Sequence, residues 1–591
     1  MKLKKRSLSL FLVAAMFLTA CSGQTKTTES TTEEKATTKA ADSTKDTAAG
    51  DESKAEETKG EETKELYTVK VFSGTAVKVA KWSDTPVGQA VVDKFGFDLE
   101  FVPPPAGDNK EQLGLMLSAG NYPEIVVLED QDTADKYIAA GALLALDPYL
   151  DQMPNFTKWY ADSIPYWRQA AGDGNLYNWN RLIPQDQAVF PENNDMIVRT
   201  DLLEQQDWKH PVSADEWVAF LKEAKEQNPT TPDGEPTIGM VAPFGESWGM
   251  AGIAPILYEK GEGIQIANGS IFYDAKDDIF VDMFTHSDTK ESFQFFNRLY
   301  QEGLLDEESF TDKNDQITAK LNSGRALSAW YTVWLANGAN QALREKGWDE
   351  MQLITVPIQS NGQVERGEKN IIMTQLTRPF DTIAITKNAQ YPERIVEVLD
   401  FFSTEEGQVL MQSGIEGIHY TLENGKRIAT QVFIDNSINV EDYTVKEGFG
   451  LGSVFGSAAS TSKEDAQPFS LGLTEAAIRG TRPERVNQAY EQLGWETPLD
   501  WWVENGSWET IGVASGVSID PQSEEGTLEA RLADFRVKNT ALLIQAKNDA
   551  EFDSLYESFV EQYNAMDPQI VVDKYNEIYQ QGLEDIKQYQ K

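Results

Sequence analysis

The sequence predicts an α/β protein with mainly parallel sheets, and three stretches near the start of its foldable part support this prediction. Polar and apolar residues alternate from Tyr67 to Phe72, the pattern of a strand with one solvated face. A continuous apolar run from Ile125 to Leu128 is typical of a strand buried on both faces. The stretch between them, Glu111 to Ala119, has the character of a helix. Strands that alternate with helices favour a parallel sheet.

Helix and strand signals continue in the same alternation downstream. Ser213 to Glu216 is a capping box, and apolar residues follow it at helical spacing. Pro392 stands at a first helical position before a second pattern of this kind. Met351 to Ile358 and Thr382 to Thr386 have the composition of strands. These elements extend the α/β prediction over most of the chain.

The N-terminus carries a targeting signal. Basic residues precede an apolar run from Leu8 to Leu18, and small residues lead to Cys21. This run is shorter than the about 20 residues that cross a bilayer core. Leu18-Thr19-Ala20-Cys21 resembles a bacterial lipobox, in which the cysteine sulfur takes a diacylglycerol. We therefore expect residues 1–20 to be a signal peptide and Cys21 to anchor the mature chain to the outer face of the cell membrane. An ordinary signal peptide with a chance cysteine is the alternative.

The segment that follows the cysteine lacks the residues needed to fold. From Ser22 to Glu65 it contains Thr, Glu, Lys, Ala, Ser, Asp and Gly but no large apolar residue. Such a segment cannot bury enough surface to offset its ordering entropy. We expect residues 21–66 to be a disordered tether, with a root-mean-square span of roughly 35–40 Å.

Charge and cysteine content restrict the class of protein. The formal net charge is −43 at pH 7, and a field of that sign repels nucleic acid. Cys21 is the one cysteine in 591 residues, so no disulfide can form within the chain. Stability must come from a large hydrophobic core, and the length suits two or three domains.

Several short segments, in chain order, match the motifs of one protein family. They are Ala119–Ile125, Asp173–Tyr177, Met196–Leu203, Leu321–Leu327, and the pair Ser403–Gly407 with Gly414–Tyr420. The last pair is the most specific, because it is similar to the "S-x-E-G … GIEG-x-HY" signature of the family's large members. The chain therefore resembles the extracellular solute-binding lipoproteins of carbohydrate ABC importers, in their large Gram-positive form.

This resemblance implies a fold and a division of the chain into lobes. The family fold is that of periplasmic binding proteins: two lobes of mainly parallel sheet flanked by helices, with the ligand in the cleft between them. We expect residues 67–183 and 356–411 to form lobe 1, and residues 184–355 and 412–591 to form lobe 2. The crossings between the lobes would then lie near Ile183–Asp195, near Thr355 and near Gln412.

The resemblance also implies a function without catalysis. The protein would capture an oligosaccharide and deliver it to the permease of an ABC transporter. It would act as a monomer, without a cofactor or a bound metal, and it would contact the membrane only through its lipid anchor. A peptide or another nutrient is the alternative ligand. A cell-surface glycoside hydrolase is the alternative class of protein.

The candidate ligand-binding residues combine rings and polar groups. Aromatic rings stack on the C–H faces of a sugar, and polar side chains bind its hydroxyl groups. We expect the site to draw on residues that follow strands or family motifs: Trp82, Asp130, Trp179, Asn180, Arg181, Trp248, Trp330, Tyr331, Trp334, Arg378, Glu416 and His419. For each of the rings, a place in the hydrophobic core is the competing interpretation. Four late tryptophans form a cluster without an assigned role: Trp495, Trp501, Trp502 and Trp508.

The sequence gives little support to other chemistries. The segment from Gly245 to Gly249 matches the G-x-S-x-G elbow of hydrolases, but the prolines and glycines around it disfavour the strand and helix that an elbow requires. Family members often carry a calcium loop after the helix that here ends near Gln227. The proline-interrupted segment Asn228–Pro236 has too few oxygen ligands for calcium. Three scattered histidines and one cysteine disfavour a catalytic zinc site, and the sequence contains no phosphate-binding loop motif.

Overall fold

In the computed structural model, the described residues are 65–73, 79–102, 109–128, 130–180, 182–184, 193–246, 249–252, 263–265, 271–336, 338–375 and 382–590. The predicted signal peptide and nearly all of the predicted tether lie outside them. From residue 65 onward, the described residues belong to one compact unit. Among the helices of this part of the chain, none is both long enough and apolar enough to cross a membrane.

Strands and helices alternate along the described residues. The strands are β1 (Tyr67–Phe72), β2 (Phe97–Val102), β3 (Ile125–Leu128), β4 (Asn178–Asn180), β5 (Leu182–Pro184), β6 (Asn193–Arg199), β7 (Ile238–Val241), β8 (Gly263–Gln265), β9 (Ile271–Asp274), β10 (Ile279–Asp282), β11 (Ala326–Thr332), β12 (Leu353–Val356), β13 (Asn370–Gln375), β14 (Thr382–Ile385), β15 (Tyr420–Glu423), β16 (Lys426–Ala429), β17 (Ser457–Ala459) and β18 (Gly506–Ile511). The helices are α1 (Pro86–Phe95), α2 (Asn109–Ala119), α3 (Gln131–Ala139), α4 (Pro154–Trp159), α5 (Ile164–Ala170), α6 (Thr200–Gln205), α7 (Ala214–Gln227), α8 (Gly249–Gly252), α9 (Ser287–Gln301), α10 (Asn314–Asn322), α11 (Ala339–Glu345), α12 (Asn361–Arg366), α13 (Pro392–Phe401), α14 (Glu405–Gln412), α15 (Gln431–Asn439), α16 (Tyr443–Glu447), α17 (Glu475–Thr481), α18 (Glu484–Leu493), α19 (Pro498–Asn505), α20 (Glu524–Ile544), α21 (Asp549–Asn564) and α22 (Gln569–Asp585).

The first sheet has five strands in the order β2-β1-β3-β14-β4. Strand β1 pairs in parallel with β2 and β3, whereas β14 runs antiparallel to β3 and to β4. All four side chains of β3 are buried, as its continuous apolar run predicts. The predicted α/β class is confirmed, and β14 is the one strand of this sheet that opposes the others.

The second sheet has four strands in the order β12-β6-β11-β7. Strand β11 is parallel to β7, and β6 is antiparallel to both β11 and β12. Helix α7 covers this sheet. Its N-terminus carries the predicted capping box between Ser213 and Glu216, and Trp217 and Leu221 are fully buried against the sheet. In this sheet, β6 is the one strand that runs opposite to the others.

The chain passes between the two sheets through short paired strands. After β4 it forms β5, which pairs in parallel with β17, before it reaches β6. After β12 it forms β13, which pairs in parallel with β18, before it reaches β14. The expected crossings near Ile183–Asp195 and near Thr355 fall in or beside these two passages.

A third passage lies further along the chain than its expected position near Gln412. Residues after Gln412 still pack on the first sheet: Trp82 Nε1 donates to the Gly448 carbonyl (3.2 Å), and Trp179 Nε1 donates to the Val454 carbonyl (2.6 Å). Only with α18 does the chain join the core of the second sheet, where Tyr490 is buried. The expected boundary at 411/412 is therefore displaced, because residues 448–454 cover Trp82 and Trp179 of the first body's core.

These packing relations define two parts of the molecule. We use "first body" for the described residues among 65–180 and 382–481, since Ala477 of α17 packs with Phe433 and Tyr420, and "second body" for those among 193–369 and 484–590. The C-terminal helices α20, α21 and α22 belong to the second body, since Leu532, Tyr563 and Tyr575 share one buried cluster with Met196 of β6. Hydrogen bonds between acids and tyrosines, such as Tyr575 Oη to Glu529 Oε1 (2.9 Å), join these helices to each other.

A buried ion pair fixes the segment 413–473 within the first body. The Arg427 guanidinium donates two parallel hydrogen bonds to the Asp465 carboxylate, Nε to Oδ2 (2.6 Å) and Nη2 to Oδ1 (3.0 Å), and the two side chains are 3% and 6% exposed. Burial by itself would raise the pKa of the Asp465 carboxyl. The hydrogen bonds from Arg427 and from the backbone N–H of Gln467 outweigh burial and lower this pKa below its ordinary value.

We predict that Asp465→Asn lowers the free energy of unfolding by about 3 kcal/mol at pH 7, because it leaves a buried guanidinium without its counterion. A carboxyl whose pKa is lowered on folding stabilises the protein above its unfolded pKa of about 3.9, and this stabilisation is lost as the pH falls through the folded pKa. Denaturant unfolding at pH 7 and at pH 3 should therefore show a gap between wild type and variant that shrinks in acid. Glu464→Gln, at the exposed neighbouring position, is the matched control. An equal difference in unfolding free energy at both pH values would contradict the stabilising role of the ionised Asp465 carboxylate.

Candidate ligand site

The strand directions of the two sheets locate a site at their carboxyl edges, the edges at which the parallel strands end. In open α/β sheets, ligands bind outside the carboxyl ends of the strands. Strand β4 ends at this edge of the first sheet, and β6 begins at this edge of the second. Strand β12 ends at the carboxyl edge of the second sheet, and β14 begins at that of the first. Both passages therefore join one carboxyl edge to the other.

Polar residues stand at the carboxyl edge of the first sheet. Asp130 caps α3: its Oδ1 accepts the backbone N–H of Thr133 (2.9 Å), and Lys110 Nζ lies 3.1 Å from the same oxygen. Asn180, the last residue of β4, pairs with Thr382, the first residue of β14. Two of the expected polar residues, Asp130 and Asn180, thus stand at the same edge.

A shallow depression of about 250 Å³, measured with its open mouth, lies beside this edge. Its wall includes Gln131, Tyr177, Asn178 and Thr382 among small apolar side chains. Tyr177 Oη donates to Asp173 Oδ2 (2.9 Å), which fixes the phenol ring at the rim. This face offers amide, hydroxyl and aromatic groups to a ligand.

The carboxyl edge of the second sheet carries a buried acid and a strained strand end. Asp195, near the start of β6, is 0% exposed, and its Oδ2 accepts a hydrogen bond from Trp502 Nε1 (3.4 Å). Its strand partner Tyr331 is half-buried and has φ = 128°, a value that non-glycine residues rarely adopt. A register shift follows between Tyr331 and Thr332. Bulges of this kind reorient side chains beside functional sites.

The four late tryptophans collect at this second edge. Trp501 and Trp502 are buried with their ring centroids 4.7 Å apart, and the rings of Trp495 and Trp508 pack against them while remaining half-exposed. Trp508 lies on β18, opposite Ile372 of the passage strand β13. The cluster therefore stands between the carboxyl edge of the second sheet and one of the passages.

His210 joins the tryptophan cluster to the sheet. Its Nε2 donates to the carbonyl of Pro357, the residue after β12, at 2.8 Å. Its ring lies edge-on to Trp495 and to Trp501, with centroids 5.0 and 5.6 Å away. Burial lowers the pKa of His210, which favours the neutral imidazole. The histidine thus holds two of the rings at the end of a strand.

Three of the expected ligand-binding tryptophans lie in hydrophobic cores instead. Trp82, Trp179 and Trp330 are each 0% exposed, so none presents a ring face to a ligand in this structure. Trp82 and Trp179 donate to the backbone carbonyls named above, and Trp330 packs edge-on against Phe296 at 5.9 Å. We assign all three to packing. Trp179 and Trp330 lie within strands β4 and β11, not after them, and Trp82 lies in a short 3-10 helix under a segment that the sequence alone could not place.

Three other expected site residues lie outside the described residues, and only the backbone of a fourth is described. Arg181, Trp248 and Arg378 lie outside the described residues. Trp334 lies in the short 3-10 helix Val333–Ala336, directly after β11. Its backbone therefore follows the carboxyl end of a strand, at the second edge.

His419 and Glu416 belong to the turn of the family signature, and only one of them is exposed. His419 is 0% exposed. Its Nδ1 accepts the backbone N–H of Ile415 (2.9 Å), and its Nε2 donates to Glu447 Oε2 (3.1 Å). A side chain at Gly414 would lie 2.4 Å from His419 Nδ1, so the turn requires glycine there. The expected ligand role of His419 is thus replaced by a structural one, whereas Glu416 is exposed on the same turn.

A cluster of three carboxylates has the composition of a cation site. Asp306, Glu308 and Asp312 bring oxygens within 4.8 Å of one another. Lys320 Nζ occupies their centre, 2.6 Å from Asp306 and 2.7 Å from Glu308. The ammonium group supplies the positive charge that the carboxylates need, so the arrangement is that of an internal ion-pair network.

Sequence reasoning missed the rings that the fold brings together. The late tryptophans are separate in the chain from every family motif, and no sequence signal says which edge of which sheet they reach. Their density was a usable signal: Trp495, Trp501, Trp502 and Trp508 fall within 14 consecutive residues. Three features of the fold connect the cluster to the carboxyl edge: the Trp502–Asp195 hydrogen bond, His210, and the passage strand β18.

Comparison with known proteins supports the family suggested by the motifs. A family model described as "Bacterial extracellular solute-binding protein" matches residues 82–409, more than half of the chain. The chain belongs to this family. Its members are binding proteins, so the family resemblance stated from the sequence is confirmed.

Individual relatives of this solute-binding protein agree with the assignment. The lipoprotein LipO of Bacillus subtilis (strain 168) is 23% identical over 369 residues, which cover 61% of this chain and 68% of LipO. An HMO-binding, ABC-transporter-associated solute-binding protein from Bifidobacterium longum infantis has a TM-score of 0.58 at 14% identity, over 87% of this chain and 98% of that one. The S. pneumoniae ABC-transporter substrate-binding protein FusA, in complex with kestose, has a TM-score of 0.59 at 15% identity, over 87% and 99%. At these identities, the two solved structures show a shared fold.

We predict that His419→Phe lowers the free energy of unfolding by about 2 kcal/mol, because the aromatic packing survives while the buried N–H of Ile415 loses its acceptor. Denaturant unfolding measures this change. Glu416→Gln, on the exposed part of the same turn, should leave the free energy of unfolding unchanged within about 0.5 kcal/mol. Equal stability of the His419 variant and wild type would show that the turn does not depend on the imidazole.

Proposed function

We propose that this solute-binding protein is a lipid-anchored receptor that captures an oligosaccharide between two lobes and delivers it to the permease of an ABC transporter. The lobes are the first and second bodies, and the ligand site lies between their carboxyl edges. The observation that carries the proposal is the tryptophan cluster, whose half-exposed rings stand at one edge beside a passage. It is supported by the relatives whose names mention HMO and kestose.

The chemistry of sugars fits this arrangement. A micromolar ligand requires about 8 kcal/mol of binding free energy. Rings that bury about 200 Å² of apolar sugar surface supply about 5 kcal/mol at ~25 cal/mol/Å². Hydrogen bonds to hydroxyl groups must supply the remainder. Asp130, Asn180, Gln131 and Asn178 on the first body are the groups we propose for this role.

Binding between two bodies explains how capture is signalled. A ligand shifts the balance between open and closed arrangements only through contacts that differ between them. Stacking on Trp495 or Trp508 involves the second body, and hydrogen bonds at Asp130 or Asn180 involve the first. An oligosaccharide that spans both edges therefore favours the closed arrangement, which is the form that a permease would recognise.

A panel of oligosaccharides and peptides in a thermal-shift assay, with product analysis of each mixture, tests this function. A ligand that binds only the folded state stabilises the protein by RT ln(1 + [L]/Kd), about 2.7 kcal/mol at a hundredfold excess over Kd. We expect stabilisation by an oligosaccharide that is recovered intact. Stabilisation only by peptides would establish the alternative ligand class. Cleavage of the sugar would establish a glycoside hydrolase.

We predict that Trp508→Ala raises the Kd for the stabilising oligosaccharide about 30-fold. Losing about 80 Å² of stacked apolar contact removes about 2 kcal/mol, and each 1.4 kcal/mol changes Kd tenfold. Isothermal titration calorimetry provides the measurement.

Trp348→Ala is the matched control for this variant. Trp348 is also half-buried in the second body, but it contacts Gly324 before β11, at the opposite edge of the sheet. Its removal should leave Kd unchanged. Equal affinities for the Trp508 variant and wild type would exclude stacking on that ring.

We predict that Cys21→Ser releases the protein into the growth medium of a Gram-positive host. The substitution removes the sulfur that would carry the diacylglycerol, and two acyl chains are what hold such a protein stably at a membrane. Fractionation followed by immunoblotting measures the distribution. Ser22→Ala, at the neighbouring position, should keep the protein in the membrane fraction. Retention of the Cys21 variant in that fraction would contradict lipid anchoring.

A further inference from the structure

We propose that the C-terminus forms a clasp that restrains the two bodies relative to each other and so prepares the cleft for its ligand. The clasp rests on the division into two lobes proposed above, but not on the identity of the ligand. Its members are Tyr166, Gln169 and Gly174 of the first body, and Gly512, Gly582, Tyr589 and Gln590 of the second.

Helix α5 presents one face to each body. Trp167 is 0% exposed and anchors the helix in the first body, with its ring centroid 5.3 Å from that of Tyr160. Tyr166 and Gln169, three residues apart, share another face of the helix. On that face, Gln169 Nε2 donates to the carbonyl of Gly582 in α22, at 2.7 Å. A side chain of the first body thus binds the backbone of the last long helix.

C-terminal residues of the second body in turn contact the first body. Helix α22 is fixed in the second body by buried Tyr575 and Tyr579. Beyond its end, the ring of Tyr589 lies against Gly174 of the first body. A hydrogen bond also joins the side chains of Gln590 and Tyr166. At this place, therefore, side chains of the first body contact the second, and side chains of the second contact the first.

Three glycines allow the two bodies to approach each other closely at the clasp. A Cβ at Gly512 would lie 2.3 Å from Tyr166 Oη, and a Cβ at Gly582 would lie 3.1 Å from Gln169 Nε2. Gly174 has φ = +79°, and a Cβ there would lie 3.1 Å from the Tyr589 ring. Contacts this tight tolerate little displacement, because Gly512 and Gly174 each accommodate an atom of the opposite body. Gly582 accommodates both Gln169 and, more closely, Val513 of its own body.

The clasp stands next to the site it would prepare. Gly512 follows β18 directly, so it adjoins a passage between the bodies. Ala170, the last residue of α5, lines the depression at the first carboxyl edge. A contact beside the passages limits how far the bodies can turn about them. The free protein then samples fewer relative orientations of the two bodies, so less conformational entropy is lost when a ligand binds both edges. Preorganisation of this kind improves affinity.

Distance measurements between spin labels test the clasp without any ligand. Cys21 is the one cysteine of the chain, so the full chain with Cys21→Ser accepts labels at Lys158→Cys in α4 and Glu226→Cys in α7. Both of these side chains are exposed, one on each body. Pulsed dipolar spectroscopy then reports the distribution of distances between the bodies. We expect a narrow distribution in the parent chain.

Two independent disruptions should broaden this distribution. Gly512→Ala places a methyl group against Tyr166, and the double variant Gln169→Ala with Tyr589→Ala removes the contacts without adding bulk. Gly516→Ala is the matched control, because a Cβ at this nearby glycine meets no atom within 4 Å. Thermal unfolding midpoints within about 3 °C of the parent chain confirm that the variants are folded.

The outcomes separate the clasp from the proposed function. Broadening in both disrupted variants but not in the control supports the clasp, whether or not an oligosaccharide binds. A distribution that stays narrow in the folded double variant overturns it. With a bound oligosaccharide, the double variant should show a Kd about three- to tenfold higher than the parent chain. An unchanged Kd would limit the clasp to a structural restraint and overturn the inference that it prepares the cleft.

Discussion

One constraint of strand direction determines the architecture of this protein. Each of the two sheets contains a single strand that opposes its parallel neighbours, β14 in the first and β6 in the second. The chain enters each sheet, on crossing from the other, by that strand. Both passages must therefore run from carboxyl edge to carboxyl edge. A different direction for either strand would send a passage along the whole length of a sheet and would leave the two edges unconnected.

The chemistry of the candidate site follows from this connection. The first edge contributes hydrogen-bonding groups around Asp130, and the second contributes rings held by His210 and Asp195. Neither group alone suits an oligosaccharide: rings without polar groups supply too little free energy, and polar groups without rings compete poorly with water. Because the two kinds of group lie on different bodies, an oligosaccharide bound as we propose would make affinity and closure depend on the same contacts.

The sequence predicted the class of fold, whereas several residues that it suggested for the site lie in the core. Apolar continuity identified β3, and the capping box identified α7, because those signals come from the element's own environment. Trp82 and Trp179 were expected in loops where ligand residues occur, yet Trp179 lies within β4, and residues 448–454, distant in sequence, cover both rings. His419 carried the family signature, but its two ring nitrogens are used to hold a turn. For the two tryptophans a partner far along the chain decides the role, and periodicity carries no information about such partners. For His419 the deciding partners are nearer, the Ile415 N–H and Glu447.

A crystal structure of the protein with the oligosaccharide that stabilises it most would test the central claim most directly. The account predicts sugar rings between the two carboxyl edges, with at least one ring stacked on Trp495 or Trp508 and hydroxyl groups bound by the first body near Asp130 and Asn180. Sugar bound at the amino ends of the strands, or on one body without contact to the other, would contradict it.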